Sequence, residues 1–287
     1  RRCLRRGLRQ IGKRAYILEN PEITKRYAPM ITPCYPPEEF NPAYIVSTDI
    51  AEEKLFPDTA EQYKGRVDLV IDHHGSNNGF GEKNLIRADA GACAEVLYDV
   101  LAALGCRLTR EIAECIYVGV STDTGCFKYS NTTAHTHAAA ATLIAAGAEV
   151  YPINKAFFDT KSFARLKLEA RLTDSIELYG GGIVGLCTMP KSLLTELQIS
   201  EDDVDSISGF ARSIEGVEIG IMIREVEDGG GKISLRTSEH YNASELCKAL
   251  GGGGHAAAAG ATVPGGITGA RHAILSLLAQ RGIIRER

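Results

Sequence analysis

The stretch Val67-Asp68-Leu69-Val70-Ile71-Asp72-His73-His74, closed by Gly75-Ser76-Asn77-Asn78, decides the fold. Residues 67–71 are short, aliphatic and bounded by a polar turn, which reads as a buried strand. In an open α/β sheet, ligands gather just beyond the carboxyl ends of the strands. A carboxylate and two imidazoles released there could hold a divalent metal and keep a proton-handling group beside it. Taken alone, they would equally make a hydrogen-bonded turn. A second apolar run, Ala43-Tyr44-Ile45-Val46-Ser47-Thr48, ends at Asp49. Two strands delivering acids and imidazoles to one sheet edge point to metal-assisted hydrolysis.

Working outward, residues 1–14 include seven Arg and Lys, with Leu4, Leu8 and Ile11 on one helical face. Such a run is ordinarily the solvated face of a first helix, and a phosphate-binding arm is the functional alternative. Residues 14–18 read as a strand, followed by a Pro-punctuated stretch over 21–42. Helical spacing of Cys93, Val96, Leu97, Val100, Leu101 and Leu104 predicts a helix over 91–104, stopped by Gly105. Further helices are expected over 109–120 and, rich in Ala, over 133–146. Strands alternating with helices predict an α/β domain over 1–158, a mostly parallel sheet with helices on both faces. One long charged helix over 161–179 makes 159–180 a helical linker, ended by Gly180-Gly181-Gly182. Strands expected at 183–188, 217–224 and 232–238, with helices at 202–214, 243–250 and 267–280, form a smaller α+β domain over 181–287.

The 287 residues suffice for two domains, and composition is that of a soluble protein, 44% hydrophobic and 24% charged. No segment approaches the roughly 18 uncharged apolar residues of a membrane span. A formal net charge of -4 argues against long duplex nucleic acid and leaves room for a small anion at a local positive site. The eight cysteines contain no Cys-x-x-Cys pair, so disulfide and zinc scaffolds are poor readings and a reducing cytoplasm is expected.

Three further motifs carry chemistry. Ser121-Thr122-Asp123-Thr124-Gly125 directly follows a predicted helix, where Asp123 is either a turn-forming carboxylate or a metal ligand. With Asp49 it completes a set of carboxylates and imidazoles suited to Mn²⁺ or Mg²⁺. Gly251-Gly252-Gly253-Gly254-His255 is either a flexible loop or an anion nest, and the Ala run after it is expected to open a helix. Alternation over 232–238 puts Lys232, Ser234, Arg236 and Ser238 on one face, a solvent face or the wall of a phosphate-gripping cleft.

In this order, Val-Ser-Thr-Asp49, Ile-Asp72-His73-His74, Thr-Asp123-Thr-Gly, Gly209-Phe210-Ala211-Arg212, Ser234-Leu235-Arg236 and Gly-Gly-Gly-Gly-His255 make a specific combination. Through them the chain resembles the DHH phosphoesterase family with its DHH-associated C-terminal domain. Within it, the likeness is to the nanoRNase branch of bifunctional oligoribonucleases and 3′-phosphoadenosine 5′-phosphate phosphatases. The resemblance implies two Mn²⁺ ions, Mg²⁺ being an alternative, with Asp49 bridging them and His73 and Asp123 completing one ligand set. It implies His74 and Asp72 as the catalytic pair, His74 leaning toward the scissile phosphate and Asp72 orienting the imidazoles. It carries Arg236, His255, Gly253 and Gly254 over as substrate-binding residues, with Arg212 and Ser238 as weaker candidates.

The implied activity is hydrolysis of short 5′-phosphorylated oligonucleotides and of the adenosine bisphosphate, in the cytoplasm and with a homodimer as the family assembly. Alternatives are a cyclic dinucleotide phosphodiesterase and a non-catalytic nucleotide-binding module. One departure stands out. The family's first motif, an Asp-x-Asp loop ahead of the first helix, has no counterpart, because the first Asp is Asp49. Either the ligands of a first metal lie upstream of Arg1, which is the expectation, or the protein lacks them and would bind at most one metal properly.

Overall fold

The computed structural model describes every residue except Glu22, Lys25, Asp205, Ser206, Glu227, Asp228, Glu286 and Arg287. The chain divides into two units, Arg1–Thr160 and Lys161–Arg287.

The first unit carries α1 (Arg2–Gln10), a short α2 (Ala28–Ile31), β1 (Val46–Thr48), β2 (Leu69–Asp72), β3 (Lys83–Ile86), α3 (Cys93–Ala103), α4 (Arg110–Asp123), α5 (Ala134–Ala145) and α6 (Val150–Asn154). Its three strands are parallel in the order β1-β2-β3. Val70 and Ile71 of β2 are buried, and Ile71 joins a core of Val96, Leu97, Leu101, Ile112, Ile116 and Leu143 from α3, α4 and α5. Helix α4 starts where Thr109 accepts the Ile112 amide, and α5 starts at a Thr133–Thr136 capping box. Gly119 lets α3 and α4 approach closely, since a Cβ there would stand 2.5 Å from the Ala94 methyl.

One expectation for this unit fails and one strand was not foreseen. Residues 14–18 form no strand: Ile17 donates to the Cys34 carbonyl at 2.9 Å, but no ladder continues from it among the described residues. A strand needs a neighbour. Conversely β3, a largely exposed strand, gave no apolar signal.

The second unit carries α7 (Phe163–Asp174), β4 (Glu177–Tyr179), β5 (Val184–Met189), α8 (Lys191–Glu196), α9 (Glu201–Val204), β6 (Ile219–Glu225), β7 (Gly231–Thr237), α10 (Ala243–Ala249), β8 (Gly253–Gly254), β9 (Ala258–Val263) and α11 (Gly266–Gln280). Six strands form a mixed sheet in the order β4-β5-β6-β7-β9-β8, parallel only between β5 and β6. Alternation along β5 divides its side chains between two cores. Val184 and Leu186 pack with Ile274 and Leu278 of α11, while Cys187 and Met189 pack with Leu168 and Leu172 of α7. The stretch 159–180, expected as a linker, therefore supplies α7 as a buried layer of this unit and β4 as a strand of its sheet. The helix expected over 202–214 is represented by α9 and a 3₁₀ segment, Ile207–Ser213, with residues 205–206 outside the described residues.

The Ala run after His255 also departs from expectation. It forms no helix but turns a hairpin and becomes β9, which pairs with β7 over six residues, from Arg236↔Ala258 to Gly231↔Val263. A long-range ladder outweighs the helix propensity of Ala here. Gly252 and Gly254 permit it: a Cβ at Gly252 would stand 2.1 Å from the Gly260 carbonyl oxygen, and one at Gly254 2.6 Å from that of Ala258.

Leu172 is completely buried between α7 and the sheet. Leu172→Ala should lower the stability of the second unit by about 2–5 kcal/mol, read as a fall in the urea midpoint by circular dichroism. A linker helix merely resting on solvent would leave the midpoint unchanged.

Candidate active site

The parallel register sets Thr48 beside Ile71, so β1 and β2 release Asp49 and Asp72-His73-His74 at one end of the sheet. The Asp49 amide donates to the Ile71 carbonyl at 3.0 Å. Asp49 itself has left-handed backbone, φ 62°, uncommon outside Gly but open to Asp. Its Oδ1 stands 3.6 Å from His73 Nε2 and 4.0 Å from His74 Nδ1.

Asp72 is fully buried. Its Oδ1 accepts the His73 amide at 2.7 Å and His74 Nδ1 at 2.8 Å, and its Oδ2 accepts Asn77 Nδ2 at 2.6 Å. The same Asn77 amide donates to the Ile50 carbonyl at 3.1 Å, tying the loop after β1 to the loop after β2. Burial pushes the Asp72 carboxyl up, but the bonds from Asn77, His74 and the His73 amide outweigh it and hold the group below the usual carboxylate range. His73 donates from Nδ1 to the Ala90 carbonyl at 3.2 Å. With both Nδ1 atoms committed as donors, each ring offers Nε2 as its lone-pair nitrogen.

Asp123 arrives from α4. The helix runs on past the expected end at Val120, so Asp123 is its last helical residue rather than a member of the following turn. Gly125, Cys126 and Phe127 then all take left-handed backbone, φ 56°, 59° and 63°, and lead the chain away. Asp123 Oδ2 lies 3.4 Å from His73 Nε2. Burial pushes its carboxyl up to about 6, the nearby Asp49 charge adds to the rise, and the two imidazoles pull against it. The negative pole of α4 likewise favours a cation at this point.

Asp49, His73 and His74 form a group that could hold a divalent ion, and Asp123 approaches it through His73. Two ligand atoms each about 2.1 Å from one ion stand roughly 3.0–3.5 Å apart at tetrahedral or octahedral angles. The separations of 3.6 and 3.4 Å across His73 Nε2 approach that spacing, and donor atoms of Asp49, His73 and His74 lie within 4.8 Å of one another. Cys93 also comes within 4.8 Å of Asp49 and Asp72. It donates to the Ile71 carbonyl at 3.3 Å, and burial pushes its thiol up, which keeps it from thiolate ligation. A cavity of about 440 Å³ lies alongside, lined by Thr48, Asp49, Thr122 and Asp123.

The other expected site residues belong to the second unit, and its sheet brings three of them into one row. Antiparallel pairing sets Arg236 opposite Gly220 on one side and Ala258 on the other. Arg212 covers Gly220, where a Cβ would meet the Arg212 amide nitrogen at 2.6 Å. His255 exchanges backbone hydrogen bonds with Ala258 at 2.8 and 3.2 Å, closing a hairpin turn at Ala256-Ala257. Gly253 and Gly254 precede that turn as β8. Among the described residues Arg212 Nε is buried without a hydrogen-bond partner. Ser238 is otherwise engaged: its hydroxyl donates to Glu218 at 3.0 Å. Sequence reasoning missed two residues of the first cluster. Asn77 was visible as an Asx-type turn residue. Asn131, whose Nδ2 donates to the Asp123 carbonyl at 3.2 Å, carried no local signal.

The residues 189–281 match the DHHA1 domain family. The chain is 31% identical over 265 residues to a bifunctional oligoribonuclease and PAP phosphatase, NrnA, of Thermus thermophilus, covering 91% of this chain and 78% of that protein. It is 25% identical to the NrnA of Bacillus subtilis, covering 79% and 72% of the two chains. Among solved structures, an exopolyphosphatase-related protein from Bacteroides fragilis superposes with a TM-score of 0.75 at 23% identity, over 82% of this chain and 71% of that one, a likeness of fold.

The raised Asp123 carboxyl yields a stability prediction with a definite sign. A group whose folded-state value lies above its unfolded one favours the folded state when protonated, and that contribution is lost as pH rises through the folded value. In metal-free protein Asp123→Asn should therefore be more stable than the parent above about pH 6. Solvent screening limits the gain to about 1–2 kcal/mol. Melting curves in EDTA should show the difference shrinking toward pH 4; a variant less stable at pH 8 contradicts the electrostatics described.

Proposed function

The chain belongs to the DHH phosphoesterase family, and from that premise we propose that it hydrolyses phosphoester bonds in short 5′-phosphorylated oligonucleotides and in 3′-phosphoadenosine 5′-phosphate. The observation that carries the reading is His73 Nε2 standing between the carboxylates of Asp49 and Asp123 at 3.6 and 3.4 Å. The relatives named as oligoribonucleases and PAP phosphatases support the substrate class.

Asp49, His73 and Asp123 would hold the metal, and a mixed oxygen and imidazole set suits Mn²⁺, with Mg²⁺ as the harder alternative. A divalent ion supplies Lewis-acid polarisation of the phosphoryl group and a nucleophilic water at neutral pH. His74 offers Nε2 to a proton at the reacting phosphate. Asp72 holds that ring in the Nδ1–H tautomer and balances the charge if His74 takes the proton, which makes Asp72 a positioning residue. Arg236 and Arg212 would supply the positive charge for a phosphate, with His255 as a further ligand, Arg being able to bind two oxygens at once. Gly253, with open space where a Cβ would stand, would let an anion approach its backbone closely, while Gly254 serves the hairpin. Ser238, already bonded to Glu218, is the weakest of the proposed ligands.

A ligand set of this size suits a small anion, as does the net charge of -4. Among the described residues no helix is long and apolar enough to cross a membrane. All eight cysteines are unpaired, which supports a reducing, cytoplasmic setting.

The test is turnover of a 5′-phosphorylated diribonucleotide and of the adenosine bisphosphate with Mn²⁺ and with EDTA. Asp123→Asn should lower kcat by more than roughly 100-fold, beyond the effect of outer-shell residues, with its circular dichroism spectrum unchanged. Arg236→Ala should lower kcat/KM by about 10–100-fold while leaving Mn²⁺ affinity intact. Preferential turnover of a cyclic dinucleotide would transfer the assignment to that substrate. Nucleotide binding indifferent to both EDTA and Asp123→Asn would indicate a binding module.

A further inference from the structure

His73 is anchored through Nδ1 to the carbonyl of Ala90 at 3.2 Å, and the other end of that peptide unit, the N–H of Gly91, donates to the carboxylate of Glu95 at 3.2 Å. We propose that Glu95 is a positioning residue for the metal centre, acting on His73 through the intervening Ala90–Gly91 peptide. The inference rests on the reading of Asp49, His73 and Asp123 as metal ligands.

Burial makes the arrangement consequential. Glu95 is 1% exposed and Ala90 5%, and Gly91 between them is buried. In such surroundings hydrogen bonds in series polarise one another. A carboxylate accepting the Gly91 N–H draws electron density within the peptide toward the Ala90 oxygen. That oxygen then accepts the His73 Nδ1–H more strongly, fixing the tautomer and strengthening Nε2 as a donor to a cation. A carboxylate bonded directly to a ligating imidazole does the same; here one peptide unit is interposed.

The surroundings of Glu95 fit an ionised acceptor. Besides Gly91, His135 Nδ1 reaches its Oε1 at 2.6 Å and the Thr136 hydroxyl its Oε2 at 2.9 Å. The Gly91 amide and the Thr136 hydroxyl both donate to Oε2, which makes that oxygen an acceptor. Gly91 is required as well: a Cβ there would lie 2.9 Å from Thr136 Oγ1 and 3.2 Å from Glu95 Oε2. Asn131 holds the far side, donating to the Gly91 carbonyl at 2.8 Å and to the Asp123 carbonyl at 3.2 Å. The peptide unit next to the one that orients His73 is thus tied to the helix end that presents Asp123.

Glu95 also lies in the first turn of α3, where an acidic residue is favoured by the helix dipole alone. The two roles differ in what they couple to. If Glu95 acts through His73, Glu95→Gln should weaken Mn²⁺ binding by about tenfold or more in the parent. It should then add less than about twofold in a His73→Ala background, by the logic of a double-mutant cycle. Binding is measured by the electron paramagnetic resonance of free Mn²⁺, without substrate. An equal loss in both backgrounds, or no loss in the parent, overturns the relay. Failure of the parent to bind Mn²⁺ overturns the metal centre and the relay with it, whereas binding that His73→Ala weakens and Glu95→Gln leaves intact overturns the relay alone. A second measurement needs only the unmutated protein. Titration with diamagnetic Mg²⁺ should shift the Gly91 amide in ¹H–¹⁵N spectra, and a Gly91 resonance that stays fixed while the His73 ring responds counts against the relay.

Discussion

The buried carboxylate of Asp72 is the constraint on which the first unit's site depends. It sits at the last residue of β2 with no solvent to stabilise its charge, so its hydrogen-bond partners must do so. Those partners are the His73 amide, the His74 ring and the Asn77 amide. Each is thereby held in one orientation, and Asn77 extends the hold to the loop after β1 through Ile50. The polar residues after the strand are ordered because a buried anion leaves them no alternative of equal free energy.

Against that satisfied anion stand two carboxylates that are not satisfied. Asp49 occupies a left-handed backbone position, and Asp123 ends a helix whose dipole disfavours its charge. Burial and repulsion from Asp49 push Asp123 up to about 6, while hydrogen bonds hold Asp72 low. Carboxylates with perturbed values gathered at one strand end are common at functional sites.

Much of this was legible in the sequence because it lay in local pattern. The β-branched run before Asp72 and the run before Asp49 each announced a strand, and parallel pairing placed their ends together. Arg236 was legible on the alternating face of β7. What escaped reading depended on distant partners. Nothing near the Ala run after His255 tells that β7 will capture it as a strand. Nothing near Phe163 tells that Leu168 and Leu172 will be wholly buried beneath β5 rather than exposed on a linker. The end of α4 was read three residues too early because a Ser-Thr-Asp-Thr run resembles a turn. In fact the hydroxyls of Ser121, Thr122 and Thr124 bond back to carbonyls of the preceding turn and let α4 continue.

Adjacent histidines gain different chemistry from this geometry. His73 and His74 follow one another past a strand end, and their rings meet edge to face at 4.7 Å. His74 has a carboxylate behind it, the arrangement that supports a ring taking and releasing a proton. His73 has a carbonyl behind it and two carboxylates before it, the arrangement that suits a ring offering Nε2 to a cation. Identical residue types at consecutive positions are distinguished only by what stands behind each ring. The partners of Nδ1, Asp72 for one and the Ala90 peptide for the other, therefore bear as directly on function as the two imidazoles themselves.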